Sequence, residues 1–381
     1  MQVYKFNIFF QKRVNPLTGT KAIIVRILMV VIGLTILGLL FYLIGIDAIT
    51  LYTSIIEANI LLLPNTIVRF ITLLSISVGL AIPFKARVDN IGAEGQYVMG
   101  TLAAFGTAIT FPTLPSVILI PLMFINGFIV GAIWALPVVF FRARGGFQGS
   151  DVVVSFLLVF PAIYILEYLV SGPWRDPETG FTYSSQIPLA AQIPKLNFSI
   201  SIPFQINGVG VNWNFSSVHI TLFLVLFLTF LLYYLLFRAV NGIPMTKLGY
   251  EINVSGKNRV AGQMAGMSFF KVILITMILS GGLAGLAGVG EIAGNQLRLT
   301  VKTPGYGFTA IAVAYLGGLN PLGIIISAFF FAALIEGGNA IKLTQGLPGT
   351  AQNLFSGFIL IVVLVAEFFF RYTIIWRYEN D

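Results

Sequence analysis

Long apolar runs separated by short polar breaks constrain this chain more than any other feature of its sequence. The runs lie near residues 22–46, 64–84, 91–111, 116–141, 151–170, 218–237, 271–290, 305–316, 321–337 and 352–370. Most of them are long enough to cross about 30 Å of hydrocarbon as a helix. Because 57% of the residues are hydrophobic and only 9% are charged, we predict an all-α, polytopic integral membrane protein. It would be a helical bundle with about ten transmembrane segments.

The distribution of basic residues orients these segments. With a cytoplasmic N-terminus and alternating sides, most Lys and Arg residues fall on the cytoplasmic side. The far side receives only Arg175, Lys195, Arg298, Lys302 and Lys342. The positive-inside rule therefore predicts that both termini are cytoplasmic. The predicted parts are a cytoplasmic segment 1–21, one transmembrane domain 22–370 and a cytoplasmic tail 371–381, all at the cell (inner) membrane.

Two polar loops interrupt the apolar pattern. Residues 171–217 are rich in Pro, Ser, Asn and Gln, and they fall on the extracytoplasmic side, where we expect a small folded elaboration. Residues 238–270 fall on the cytoplasmic side and contain the amphipathic stretch 259–267. This inner loop could either present a surface helix to a cytoplasmic partner or serve as a solvated connector.

One predicted segment is short. Residues 305–316 would form a helix of about 18 Å, which is less than the hydrocarbon thickness. A broken or re-entrant segment is the expected form, and irregular backbone is tolerated at this depth only inside protein or beside water. The glycines around it could line a pathway or simply allow tight packing. Small residues at Gly127, Gly131 and 281–288 also indicate close helix contacts, within one bundle or between subunits.

Polar residues stand between two apolar runs at Val88-Asp89-Asn90-Ile91-Gly92-Ala93-Glu94-Gly95-Gln96. Polar groups at membrane depth are costly and usually mark a pathway. Asn90, Glu94 and Gln96 are therefore candidates for a solute passage, because amides both donate and accept hydrogen bonds. Glu94 has a second interpretation, in which its carboxylate accepts hydrogen bonds from backbone groups near the glycines.

Several chemistries are missing from the sequence. No Gly-x4-Gly-Lys-Ser/Thr motif is present, so the chain has no phosphate-binding loop with which to hydrolyse nucleotide. It contains no cysteine and one histidine, and we predict no catalytic residue, no metal site and no cofactor. The basic residues are scattered, which argues against binding of nucleic acid. Isolated acids in or near spans leave an ion-coupled secondary transporter as the alternative function: Glu94, Glu167, Glu291, Glu336 and Glu367.

Two motifs carry a resemblance to a known family. The run Asn90-Ile91-Gly92-Ala93-Glu94-Gly95-Gln96 and the glycine-rich block 305–323 resemble permease subunits of ABC importers for ribose-type sugars, nucleosides and branched-chain amino acids. The segments 171–177 and 336–340 are similar to the branch that takes up nucleosides. The resemblance covers most of the chain.

The resemblance implies a division of labour. A solute-binding protein or lipoprotein would capture a nucleoside or sugar outside the cell. This chain and a homologous second permease, in a heterodimer rather than a homodimer, would form the passage through the lipid bilayer. A cytoplasmic ABC ATPase would supply the energy, which agrees with the missing nucleotide site. The chain itself would not be an enzyme.

Two groups of residues are expected to have functional roles. The passage is expected to include Asn320 and Asn339 together with Asn90, Glu94 and Gln96, because amides suit the hydroxyls of a ribose or the edges of a nucleobase. The inner loop resembles the segment with which such permeases meet their ATPase, and the expected contact residues are Gly249, Tyr250, Glu251 and Gly256.

Overall fold

A computed structural model describes most of the chain. The described residues are 5–12, 19–43, 45, 47–144, 149–178, 180–206, 208–240, 242–344, 357–358, 361–362, 365 and 372–379. Within them, helices dominate. The α-helices are α1 (Gly19–Leu43), α2 (Ala48–Leu61), α3 (Leu63–Lys85), α4 (Ala93–Thr110), α5 (Ser116–Arg144), α6 (Ser150–Leu157), α7 (Val159–Ser171), α8 (Thr221–Leu232), α9 (Lys247–Lys257), α10 (Arg259–Met264), α11 (Phe269–Gly290), α12 (Tyr306–Leu316) and α13 (Pro321–Thr344).

The predicted membrane bundle is confirmed in its general form. Among the described residues, six helices are long and apolar enough to cross a membrane: Ile24–Leu43, Leu63–Lys85, Ser116–Ala143, Ser150–Ser171, Phe269–Gln296 and Pro321–Asn339. Three shorter apolar helices accompany them: Ala48–Leu61, Thr221–Phe237 and Tyr306–Leu316. The chain is therefore a multi-pass helical membrane protein. The predicted run 352–370 lies largely outside the described residues, and the count of ten stays a prediction.

Helix α2 was not predicted from the sequence. Its 14 residues extend over about 21 Å as a helix, and the polar side chains of Thr50, Thr53 and Asn59 interrupt its apolar pattern. At the start of α2, the Asp47 carboxylate accepts a hydrogen bond from the Thr50 amide at 2.9 Å. This contact satisfies one of the free N–H groups of the first turn.

Short strands also occur, so the described chain is not purely helical. β1 (Lys5–Lys12) pairs antiparallel with β6 (Tyr372–Glu379). The other pairs are β2 (Ser199–Ile206) with β3 (Val209–Asn214), and β4 (Ala239–Val240) with β5 (Ile243–Pro244). The β2–β3 hairpin belongs to the loop 171–217, where an elaboration was expected. Because paired strands cannot lie on opposite sides of a bilayer, β1 and β6 share one side, and the cytoplasmic assignment stays a prediction.

The chain forms two compact units, one of Met1–Ser54 with Ile341–Asp381 and one of Ile55–Ala340. In the second unit, α11 packs against α3, α4 and α5. Two segments with the wider π-helical turn continue α8 and α11, at Tyr233–Phe237 and Glu291–Gln296 respectively. All the residues discussed below as a functional site lie in this second unit.

Glycines allow the close approach of α11 to its neighbours. A Cβ atom on Gly285 would lie 2.1 Å from the carbonyl oxygen of Gly127 in α5, and one on Gly100 of α4 would lie 2.3 Å from the Gly285 Cα. Likewise, a Cβ on Gly131 would lie 2.4 Å from the Gly281 oxygen. The small residues noted in the sequence therefore serve packing inside this chain.

Candidate functional site

The turn between α3 and α4 is closed by side-chain amides. Asn90 and Gln96 form a reciprocal pair, in which Asn90 Nδ2 donates to Gln96 Oε1 at 2.9 Å and Gln96 Nε2 donates to Asn90 Oδ1 at 3.1 Å. Asn90 Nδ2 also donates to Ser280 Oγ of α11 at 3.0 Å. Asn90 and Gln96 are buried. Asn90 thus links the turn to α11, and the two buried amides satisfy each other's hydrogen-bonding groups.

Glu94 holds the first turn of α12. Its fully buried carboxylate accepts hydrogen bonds from the backbone N–H of Gly305 at 3.1 Å and of Gly307 at 2.6 Å. Gly305 has a left-handed φ of 73°, and a Cβ on Gly307 would lie 2.2 Å from the Glu94 nitrogen. A carboxylate at a helix N-terminus is favoured by the helix dipole. In this conformation Glu94 therefore makes the contacts of its second interpretation, in which the carboxylate accepts hydrogen bonds from backbone N–H groups near the glycines.

The two remaining passage candidates lie at opposite ends of α13. Asn320 is exposed and accepts a hydrogen bond from the Leu322 amide at 3.0 Å, which caps the start of the helix. Asn339 is half-buried near the other end, where its Nδ2 lies 3.5 Å from Glu336 Oε2. Nineteen residues of helix separate them by about 28 Å. One small solute therefore cannot contact both at the same time.

A second polar group lies among α3, α11, α12 and α13, and sequence reasoning did not assemble it. We call Arg69, Thr72, Glu291, Tyr306 and Glu336 the Arg69 cluster. Arg69 Nη1 donates to Tyr306 Oη at 2.8 Å and lies 3.5 Å from Glu291 Oε1. Arg69 Nε lies 3.7 Å from Glu336 Oε2. A charged cluster within apolar helices is expensive, so it usually faces the bundle interior or a water-filled path.

Glu291 is the best-satisfied member of the Arg69 cluster. Besides its contact with Arg69, its carboxylate accepts hydrogen bonds from Thr72 Oγ1 at 2.8 Å, Asn295 Nδ2 at 2.7 Å and Gln296 Nε2 at 3.1 Å. The last two donors follow it in the π-helical segment Glu291–Gln296. The wider turn brings residues four and five positions ahead back onto this carboxylate. Such π-helical turns are frequent at functional sites.

The Arg69 cluster lies near the end of the bundle that carries the loop 171–217. In this loop, the Ile193 amide donates to the Ala293 carbonyl at 2.9 Å, and the Ile187 amide donates to the Leu297 carbonyl at 3.0 Å. The loop thus packs on the π-helical segment and on the residue that follows it. The extracytoplasmic position of this loop, expected from the charge rule, stays a prediction.

The inner loop contains two helices, α9 and α10, and its contact with a cytoplasmic partner stays a prediction. Gly249 is buried, and a Cβ there would lie 2.7 Å from the Leu236 carbonyl oxygen. A Cβ on Gly256 would lie 2.0 Å from the Lys85 carbonyl oxygen. Tyr250, in contrast, is 42% exposed. The two glycines therefore allow α9 to pack closely against α3 and against the π-helical segment Tyr233–Phe237, whereas Tyr250 points outward.

Comparisons with known proteins agree with this architecture. The family model described as "Branched-chain amino acid transport system / permease component" matches residues 62–364. The chain is 32% identical over 317 residues to the glucose ABC transporter permease protein TsgB13 of Haloferax volcanii. The aligned region covers 82% of this chain and 78% of the relative. It is 29% identical over 293 residues to the guanosine ABC transporter permease protein NupP of Bacillus subtilis, with 75% and 76% covered. It is 26% identical over 289 residues to the nucleoside ABC transporter permease protein NupB of Lactococcus lactis, with 75% and 74% covered.

Proposed function

Because this chain belongs to the family of branched-chain amino acid transport system permease components, we propose that it forms the translocation path of an ABC importer for a nucleoside or a simple sugar. The match over residues 62–364 carries the proposal, and the relatives named for glucose, guanosine and nucleosides give the solute class. The chain is a membrane subunit and not itself an enzyme. Its family implies a separate ABC ATPase and a second permease as partners.

The finer assignment of partners is part of the proposal. An extracytoplasmic binding protein or lipoprotein would deliver solute on the side of the loop 171–217, and the second permease would be a homologue rather than a copy of this chain. Among the relatives, Bacillus subtilis has two guanosine permease proteins, NupP and NupQ, that both match this chain. Two different permease proteins named for one solute in one organism support a heterodimer. The membrane would be the cell (inner) membrane.

The proposed passage includes Asn90, Glu94, Gln96, Asn320 and Asn339. In the conformation described, Asn90 and Gln96 bind each other and Ser280, and Glu94 binds the start of α12. Solute movement past α4 and α12 would require these helices to shift. We assign the bonds to the closed position of a bundle with two states, between which the ATPase switches.

Uptake into proteoliposomes tests the proposed function. The chain would be reconstituted with its ATPase, second permease and binding protein, and labelled adenosine, ribose and glucose would be supplied with and without ATP. We expect ATP-dependent uptake of one solute class that ionophores do not change. Ionophore-sensitive uptake by this chain alone would instead support the secondary transporter, in which acids such as Glu291 would exchange cations.

A charge reversal on the inner surface tests the proposed contact with the ATPase. Glu251 is half-exposed beside the outward-pointing Tyr250 on α9. Reversing a charge at an interface costs more than truncating it, because like charges brought together across an interface cost several kcal/mol. We therefore expect Glu251→Arg to lower ATP-driven uptake at least about tenfold while leaving the thermal unfolding midpoint of the purified chain unchanged.

The matched control is Glu167→Arg, the same reversal at an exposed acid of α7, outside both the inner loop and the loop 171–217. It should leave uptake near the wild-type value. Equal uptake by both variants would remove Glu251 from the coupling surface. A lowered unfolding midpoint in Glu251→Arg would point to a structural task for this residue.

A further inference from the structure

One edge of the Arg69 cluster is incompletely satisfied. The Glu291 side chain is fully buried and has four donors, whereas Glu336 is 9% exposed and has none closer than 3.5 Å among the described residues. The Arg69 side chain is 26% exposed. Its Nη2 has no hydrogen-bond partner within the described part of the chain, although a guanidinium offers five N–H donors. This edge therefore retains both acceptors and donors.

The incompletely satisfied groups at this edge match one kind of ligand chemistry. A vicinal diol presents two O–H donors side by side, which the two oxygens of a carboxylate can accept, and its oxygens can accept hydrogen bonds from a neighbouring guanidinium or amide. Glu336 supplies the carboxylate, Arg69 the guanidinium and Asn339 the amide. Hydrogen bonds to charged groups are the strong ones. A diol would complete the edge without adding a charge.

Charge argues against ionic ligands at the same place. A phosphate or carboxylate on the solute would meet Glu291 and Glu336, which outnumber the one guanidinium between them. A cationic solute would be attracted by the excess carboxylate charge, but it would have to displace or approach the Arg69 guanidinium, whose Nη1 and Nε already face both carboxylates. A neutral polyol avoids both repulsions, since like charges close together in an apolar surrounding are costly.

We propose that Glu336 and Arg69, with Asn339 beside them, bind a vicinal diol of the transported solute as it enters the passage. This inference rests on the proposed function and narrows its solute class. Nucleosides and simple sugars differ in their bases and ring sizes, but they share adjacent hydroxyl groups. One diol site would therefore serve either solute. The cluster lies where the loop 171–217 packs on the π-helical segment, at the end where a binding protein would release its cargo.

The test measures the maximal uptake rate of the reconstituted importer for a solute and its deoxy analogues, at concentrations that saturate the binding protein. For a nucleoside importer the series is adenosine, 2′-deoxyadenosine and 2′,3′-dideoxyadenosine; for a sugar importer it is ribose or glucose with each monodeoxy analogue. When the binding protein is saturated, differences in its affinity for the solutes no longer affect the uptake rate. In the wild type we expect the solute that lacks the diol to move about tenfold more slowly, as for the loss of one charge-assisted hydrogen bond.

The variant Glu336→Gln should abolish most of this preference, because an amide accepts with one atom only. It should slow the diol solute and leave the deoxy analogue near its wild-type rate. The control Glu167→Gln, at an exposed acid of α7, should keep the wild-type preference. Because Glu336→Gln could also lower the amount of folded protein, rates are compared as ratios of two solutes on the same preparation.

Two results would overturn the diol site. One is that the wild type takes up the solute with the diol and the analogue without it at equal maximal rates. The other is that the ratio of these two rates is the same in Glu336→Gln as in the wild type. Both still show ATP-driven uptake, so they would leave the proposed importer function intact. Absence of ATP-driven uptake of every solute in the wild type would reject the importer function itself, and the diol site with it.

Discussion

The variant Glu94→Ala is expected to lose about 3 kcal/mol or more of folding free energy. The substitution removes the acceptor of two backbone N–H groups, that of the half-buried Gly305 and that of the buried Gly307. Each buried donor that is left unsatisfied costs about 1–3 kcal/mol. The measurement is the thermal unfolding midpoint of the purified protein in detergent, followed by size-exclusion chromatography.

Two further variants separate the possible roles of Glu94. Glu94→Gln keeps one acceptor oxygen and should retain part of the stability, whereas Glu167→Ala, at an exposed acid, should retain nearly all of it. An unfolding midpoint for Glu94→Ala equal to that of the wild type, together with lost uptake, would assign Glu94 to solute contact. A lowered midpoint would assign it to the anchoring of α12.

The second large effect is expected for Gly285→Ala, at the contact of α11 with α4 and α5. The new methyl group would lie 2.1 Å from the Gly127 carbonyl oxygen and 3.3 Å from the Gly131 Cα. Both neighbours are backbone atoms, so no side-chain rotation relieves the clash and the helices must separate. We expect a loss of at least about 3 kcal/mol, the upper end for overpacked cores, measured as folded yield and unfolding midpoint.

Gly106→Ala is the matched control, because its new Cβ would lie 3.5 Å from the Trp174 ring, an ordinary contact distance. It should leave the midpoint nearly unchanged and could raise it slightly, since alanine favours helix over glycine. If both alanine variants unfolded at the same temperature, the close approach of α11 to α5 would have no part in stability.

The general fold was predictable from the sequence because hydrophobicity is a local property. A run such as residues 116–141 must be a helix in a bilayer, where each backbone N–H needs an internal partner. The shortness of the segment 305–316 was also predictable, and α12 has 11 residues. Helix α2 was not predicted because polar side chains break its apolar run. One of these side chains, Asn59, donates a hydrogen bond from Nδ2 to the Ala333 carbonyl at 2.8 Å, and that partner is far away in the sequence.

The sites were predictable only in part. Asn90 and Gln96 stand six positions apart, and their pairing across one turn is a local event. The structure separates the proposed coupling residues into two kinds. Gly249 and Gly256 allow close packing of α9 against its neighbours, whereas Tyr250 points outward. The sequence shows all of them only as an inner polar loop. Solvent exposure distinguishes a packing residue from a contact residue, and it requires three-dimensional coordinates.

The sequence by itself determined that this is a multi-pass helical membrane protein, that it lacks a nucleotide-hydrolysing motif, and which motif resembles a permease. Only the tertiary structure decided that Arg69, Glu291 and Glu336 form one cluster. Each was visible as a charge in or near an apolar run, but more than 200 positions separate Arg69 from the two acids. Burial of a charge demands a partner. Which partner satisfies it depends on how α3, α11 and α13 pack, and no local pattern encodes this packing.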